Sequence, residues 1–224
     1  IDSNEPLPAL SVMYHLSDAW KLFANYETSF GSLQYFQLGQ GGDGNNTAKG
    51  LNPEKAKTYE IGTRYNDDVW GGEVTLFYID FDDELQYISN DVGWTNMGAT
   101  KHQGLEASVH YDMAALDPRL EGLTANAGFT YTRATYEGEI PSFKGRDLPF
   151  YSRQVANVGL RYNVNRWTYN LDAFAQSTQR SPGNSVNADG RFSGDYITDG
   201  TADGQYGDMP GYRSEERRVG KECR

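Results

Sequence analysis

The chain has one cysteine, eight prolines and no run of 18 consecutive apolar residues in 224 positions. A single cysteine closes no internal disulfide and builds no thiolate metal cluster. The missing apolar run excludes a membrane-spanning helix. It does not exclude a membrane β-barrel, whose alternating strands leave only a weak hydropathy trace. Positive charge is also scarce: 20 Lys and Arg face 31 Asp and Glu, a net charge of −11. Such a surface repels phosphates, so nucleic acid is excluded as a partner. The opening Ile1-Asp2-Ser3-Asn4-Glu5 has neither a basic start nor an apolar stretch, so it is no signal peptide and reads as the start of a fragment. What is plentiful is aromatic: 16 Tyr, 10 Phe and 4 Trp, with 25 Gly. That is too much apolar ring surface for a disordered chain.

Period-two alternation dominates. Tyr59, Ile61, Thr63 and Tyr65 alternate with Thr58, Glu60, Gly62 and Arg64; Leu105, Ala107, Val109 and Tyr111 alternate with Glu106, Ser108, His110 and Asp112. The same holds for Ala156, Val158, Leu160 and Tyr162, and for Trp167, Tyr169, Leu171, Ala173 and Ala175. This pattern puts one strand face in an apolar medium and the other in a polar one. Eight such segments are predicted, roughly 9–16, 19–30, 56–66, 71–88, 96–112, 122–136, 151–163 and 166–178, and none reads as a helix.

The connections separate the candidate architectures. Three are short and bracketed by aromatics: Tyr14 to Trp20, Tyr65 to Trp70, and Tyr162 to Trp167. The others, such as Gly39 to Gly50, Glu137 to Pro149 and Ser181 to Asp208, are long and rich in Gly, Asn and Asp. Short turns at one end and long loops at the other fit an outer-membrane barrel, with the bracketing rings at headgroup level. A soluble sandwich can alternate too, but has no reason to segregate loop length this way. The inward set (Arg64, Glu106, His110, Asn157, Arg161, Asn170, Asp172) is polar or charged. A small barrel packs its interior with side chains, whereas a wide one holds water or a plug. The expected fold is therefore all-β, about eight strands of a large antiparallel transmembrane β-barrel.

Two segments carry a resemblance. Leu51-Asn-Pro-Glu-Lys-Ala-Lys-Thr-Tyr-Glu-Ile-Gly-Thr-Arg-Tyr65 resembles a barrel signature of TonB-dependent outer-membrane receptors: Leu-x-Pro-Glu, then a strand ending in Glu-x-Gly. Asn96-Met-Gly-Ala-Thr-Lys-His-Gln-Gly-Leu-Glu-Ala107 looks like the family's later Asn-x-Gly and Gly-hydrophobic-Glu strand. Pro6 to Asp18 and Ser29 to Gly39 look most like the branch that takes up ferric dicitrate. The likeness covers residues 1–212. It implies part of a 22-stranded barrel closed by a plug, the plug itself absent from this chain. It also implies active uptake of a ferric siderophore, ferric dicitrate first and another siderophore, haem, cobalamin or a sugar as the alternatives, energised by the TonB complex through an N-terminal part not in the chain. Outer-membrane lipid and lipopolysaccharide would surround the wall. No enzyme activity and no cofactor are implied. From Arg213 the chain becomes Arg-Ser-Glu-Glu-Arg-Arg-Val-Gly-Lys-Glu-Cys-Arg, dense in charge and without strand periodicity. Residues 213–224 resemble a translated sequencing adapter and are expected to be a non-native tail.

Ferric citrate complexes are anionic, so a receptor needs cationic and hydrogen-bonding groups at its mouth, and arginine pairs with carboxylates bidentately. The basic residues near long-loop ends are Lys49, Lys101, Lys144, Arg146, Arg153, Arg180 and Arg191. Gln86, Asn90, Gln103 and Arg146 are the expected substrate contacts, although a solvated loop residue is the plainer reading of each. Asp80, Asp82, Asp83 and Glu84 could hold calcium through hard oxygen ligands, or could simply be carboxylates on a strand leaving the membrane. His15, His102 and His110 are too scattered for a metal triad, and neither a nucleophile motif nor a phosphate loop is present. A passive barrel or adhesin, and a soluble β-rich enzyme or lectin, are the competing classes. The signature pairing counts against the first, and the missing catalytic constellation counts against the second.

Overall fold

A computed structural model describes residues 6–34, 51–89, 93–96, 98–138, 144–148, 150–180, 208–211 and 213–221. Its main sheet is built from β1 (Ala9–His15), β2 (Trp20–Gly31), β3 (Glu54–Asn66) and β4 (Trp70–Asp82). After a small hairpin of β5 (Leu85–Ser89) and β6 (Gly93–Asn96) come β7 (Thr100–Asp112), β8 (Leu123–Tyr136), β9 (Gln154–Val164) and β10 (Trp167–Gln176). A two-residue pair, β11 (Gln179–Arg180) with β12 (Asp208–Met209), precedes β13 (Arg213–Lys221). The nine-stranded sheet runs β1-β2-β3-β4-β7-β8-β9-β10-β13, antiparallel throughout. This neighbour-to-neighbour meander is the wiring of a barrel wall.

Register shows why the alternation in sequence matters. Gly72, Val109, Ala127, Val158 and Ala173 stand opposite one another across β4, β7, β8, β9 and β10. One row along, Val74, Ala107, Phe129, Ala156 and Ala175 do the same. Opposed residues share a face, so apolar side chains collect into one continuous band. That band is bare: Ile61 is 61% exposed, Val158 56% and Leu76 52%. The amount of uncovered aliphatic surface calls for a hydrocarbon surround. The other face is wet and paired. Arg64 meets its register partner Glu73 in an ion pair and lies over the Phe23 ring at 5.9 Å. Ser11 Oγ donates to Asn25 Oδ1 at 2.6 Å, and Asn25 Nδ2 donates to Glu60 Oε2 at 2.9 Å.

The tight turns close one end of the wall. Asp67 shapes the β3–β4 turn by accepting from the backbone N–H groups of Val69 and Trp70, both at 2.8 Å, as an Asx side chain does. Around that turn the rings stack: Trp20 edge-on to Tyr65 at 5.8 Å, and Tyr65 face-on to Trp70 at 4.3 Å. The indole N–H of Trp20 donates to Thr63 Oγ1 at 2.6 Å. A higher row of Tyr26, Tyr59 and Tyr78 has centroids 5.1 and 6.1 Å apart. These are the aromatic belts of a membrane wall.

Three features differ from the sequence reading. The segment expected over 71–88 stops at Asp82, because Asp83 adopts a left-handed φ of 58° and turns the chain off the wall. The segment expected from 96 starts at Thr100, after the β5–β6 hairpin. The stretch from Arg213, read as lacking strand periodicity, pairs with β10 from Ala175↔Arg213 to Trp167↔Lys221. An exposed edge recruits any extended backbone, since the ladder uses main-chain groups and not side-chain alternation.

Candidate luminal rim site

At the long-connection end, the wet face of the wall carries the buried residues. Ala134, Tyr136 and Leu148 form the buried hydrophobic cluster, with Tyr151 packed against it. The segment before β9 folds back over β8: Leu148 N–H donates to Ala134 O at 2.9 Å, Tyr136 N–H to Arg146 O at 3.0 Å, and Gly145 N–H to Tyr136 O at 2.8 Å. Leu148 is 1% exposed, so this segment is packed and not trailing in solvent.

Beside it sits a buried polar set. Glu84, just beyond the end of β4, accepts from Thr100 Oγ1 and lies 3.1 Å from His102 Nε2, both through Oε2. Its other oxygen accepts from the Tyr151 hydroxyl at 3.1 Å. Glu84, Thr100 and His102 are 6%, 0% and 5% exposed. His102 is sandwiched between rings, 5.0 Å from Phe81 and 4.9 Å from Tyr151. Burial alone would raise the Glu84 carboxyl, but hydrogen bonds from His102, Thr100 and Tyr151 outweigh it and hold the group below the ordinary carboxylate range. Burial, then the charge of Glu84, pushes the Tyr151 hydroxyl well up, so it stays protonated and donating. With its folded value lowered, the stability contributed by Glu84 is present above the ordinary value and is lost as pH falls through the lowered one. Amide exchange at Leu148, corrected for intrinsic chemistry, will therefore accelerate as pH falls from the ordinary carboxylate range through the lowered value. Hydrogen exchange of the assembled receptor across that range checks this.

Neighbouring connections are tied into the same rim. Asn52 N–H donates to Asn96 Oδ1 at 2.7 Å while Asn96 Nδ2 donates back to Asn52 O at 2.9 Å and to Asp83 O at 2.7 Å. Glu54 Oε2 accepts from Leu85 N–H at 3.1 Å. Next to Tyr151 opens a cavity of about 310 Å³ lined by Thr132, Asp147, Arg153, Gln154 and Gln179 among others. Arg153 there forms an ion pair with Asp147. The rim thus offers a guanidinium, a carboxylate and the Gln179 amide at one cavity, groups able to bind by charge and hydrogen bonding.

The expected contact residues scatter. Gln86 sits on β5 opposite Thr95, and Asn90 lies outside the described residues. Gln103 stands in register between Tyr78 and Arg133, on the apolar outer face and away from the lumen. Arg146 is exposed at the rim, in the segment that folds over β8. The acidic run divides in the same way. Asp82 reaches Lys57 at 3.8 Å, Asp83 makes the turn, and Glu84 takes Thr100 and His102. Among the described residues no group of three metal-ligating side chains forms. Sequence reasoning missed the meeting of Glu84, His102 and Tyr151. The one usable signal was parity, since Thr100 and His102 share the polar face with Gly104 and Glu106.

The meander, the bare apolar band and the polar lumen face set the frame for comparison with known proteins. Residues 1–213 match the model of the family described as TonB dependent receptor-like, beta-barrel. The chain belongs to this family. TonB-dependent receptors are bacterial outer-membrane transporters and not enzymes. Among solved structures, the ferric citrate transporter FecA, in its unliganded form, is 35% identical with a TM-score of 0.69. The match covers 96% of this chain and 30% of FecA. A variant of the ferric enterobactin receptor PfeA from Pseudomonas aeruginosa superposes with a TM-score of 0.68 at 17% identity, over 97% of this chain and 32% of PfeA. The copper transporter OprC matches at 18% identity and TM-score 0.60, over 76% of this chain and 26% of OprC. These two show the fold alone. The chain spans about a third of the receptors it matches.

Proposed function

We propose that this chain is part of an active transporter that takes a ferric siderophore across the outer membrane, drawing energy from the TonB complex, and that the siderophore is ferric dicitrate. The observation that carries the ligand is the 35% identity to a ferric citrate transporter along 96% of the chain, against 17% for the enterobactin receptor over a similar span. The chemistry of the rim is compatible: an anionic hydroxycarboxylate complex needs a cation and hydrogen-bond donors, which Arg153 and Gln179 bring to one cavity. Arg146 stays a candidate contact from the same segment, and Gln86 from the neighbouring hairpin. The fold is shared with a copper transporter, so uptake of another ligand is the second reading. The test is ligand binding by the purified full-length receptor, comparing ferric citrate, ferric enterobactin and a copper salt. Saturable binding of ferric citrate alone supports the proposal. Preference for either of the others overturns the ligand and leaves the transport class standing.

We propose further that residues 213–224 are foreign to the receptor. The match to the family ends at residue 213, and the pairing of β13 with β10 requires only a free edge. Sequencing the source gene across codons 212 and 213 decides it: a frame that runs on into alternating strand sequence supports the proposal, and genomic Arg213–Arg224 overturns it.

A further inference from the structure

We propose that Glu84, His102 and Tyr151 form a tie that straps the segment 144–153 down on the luminal wall, and so fixes where Asp147 and Arg153 stand at the rim. The three are positioning residues. None lines a reaction centre, and only Tyr151 borders the cavity beside Arg153.

The argument starts from cost. A carboxylate that is 6% exposed is expensive to bury unless each oxygen is satisfied. Glu84 meets that demand with donors from three places in the chain: Thr100 and His102 on the wall, and Tyr151 from 67 residues away. Removing the Tyr151 hydroxyl would leave Oε1 without this donor inside packed protein. The wall side of the arrangement is rigid, because Thr100 and His102 belong to β7, hydrogen-bonded on both flanks by β4 and β8. The mobile partner is therefore the strap. Beyond the tie, the strap is also held by backbone bonds at Gly145, Arg146, Leu148 and Arg153, by Ser152 to Ser177 and Gln179, and by the burial of Leu148. The amides of Gly145 and Leu148 lie on the side of Tyr151 away from the Ser152 bonds. The pair Asp147–Arg153 brackets Leu148 and Tyr151 in sequence, so anything that lifts the strap moves the only ion pair lining that cavity among the described residues.

The inference holds whichever ligand is carried, and its test does not use one. Hydrogen exchange is followed on the full-length receptor in vesicles, at the amides of Gly145 and Leu148, with the amide of Trp70 at the opposite end as reference. Tyr151→Phe keeps the ring against His102 and removes the hydroxyl. It is expected to speed exchange at Gly145 and Leu148 about tenfold, the equivalent of about 1.4 kcal/mol, with Trp70 unchanged. Glu84→Ala should do at least as much, and Glu84→Gln, which retains an acceptor for Tyr151, should restore part of the protection. The double variant Glu84→Ala with Tyr151→Phe should exchange no faster than Glu84→Ala alone, since both remove one contact. Exchange within twofold of the parent in Tyr151→Phe overturns the tie, and so does full additivity in the double variant. If Glu84→Ala fails to assemble, Tyr151→Phe decides alone. Ferric citrate affinity, read separately on the same variants, bears on the ligand and not on the strap.

Discussion

Arginine placed at Val158 or Leu160 of the full-length receptor will destabilise the assembled barrel by about 2–4 kcal/mol, whereas arginine at the adjacent Asn157 will be tolerated. The three positions are near neighbours in one strand, so the contrast isolates facing from location. Val158 stands between Ala127 and Ala173 and Leu160 between Ala125 and Leu171, all on the apolar band. Asn157 stands opposite Gly128 and Phe174 on the wet face, where Gly128 leaves room beside its amide. A cation on the band must shed its hydration into hydrocarbon or drag water down to it. On the lumen face it keeps its water. Heat-modifiable gel mobility and urea refolding in lipid vesicles measure the difference. Equal tolerance at Val158 and Asn157 would mean that the sheet is not in a membrane, and tolerance at Val158 with a loss at Asn157 would mean that the two faces are reversed.

The second large effect is predicted at a turn. Gly122 leads into β8 with φ of +83°, and a Cβ added there would collide with the Asn163 backbone carbonyl across the strand pair. Two costs add: the left-handed conformation, about 1–2 kcal/mol for a residue with a Cβ, and the displacement of a backbone that donates from Asn163 N–H to Gly122 O at 2.9 Å. Gly122→Ala should therefore lower refolding stability by about 3 kcal/mol, toward the upper end for a single substitution. Gly145→Ala is the control. Its φ is +79° but nothing lies within 4 Å of the added Cβ, so only the conformational part, about 1–2 kcal/mol, should appear. Urea midpoints of the two variants give the comparison, and matching losses would show that the crowding at Asn163 is relieved by a small shift of the β9–β10 turn.

The wall was legible from sequence because a lipid-facing sheet obeys one rule at every position. Each of Tyr59, Ile61, Leu105, Val158 and Leu171 must suit hydrocarbon, and each neighbour must suit water, so period two survives along whole strands. Short turns were legible for a similar reason: Asp67 and the flanking Tyr65 and Trp70 announce both the bend and the depth. The rim was not. Glu84, His102 and Tyr151 lie 18 and 67 residues apart and meet only after three strands have paired, and nothing local marks any of them. Gln103 illustrates the opposite failure. Its amide suggested a ligand contact, yet strand parity puts it in the outer row with Tyr78. Asp83 defeated the strand count because a single left-handed residue ends a segment whose composition continues as before.

The rim connections are joined to one another as well as to the wall. Asn52 and Asn96 exchange amide bonds, Glu54 holds the start of the next hairpin, and Tyr151 closes on Glu84. Loops wired in this way do not behave as interchangeable parts. Transplanting one connection into a related receptor leaves its partner groups behind and strands a buried acceptor at the graft. Chimeras that exchange the 32–53, 83–99 and 137–153 connections together should therefore retain recognition where single exchanges lose it. Diversification of specificity along this lineage would then proceed by linked changes in several loops, not by loop-by-loop substitution.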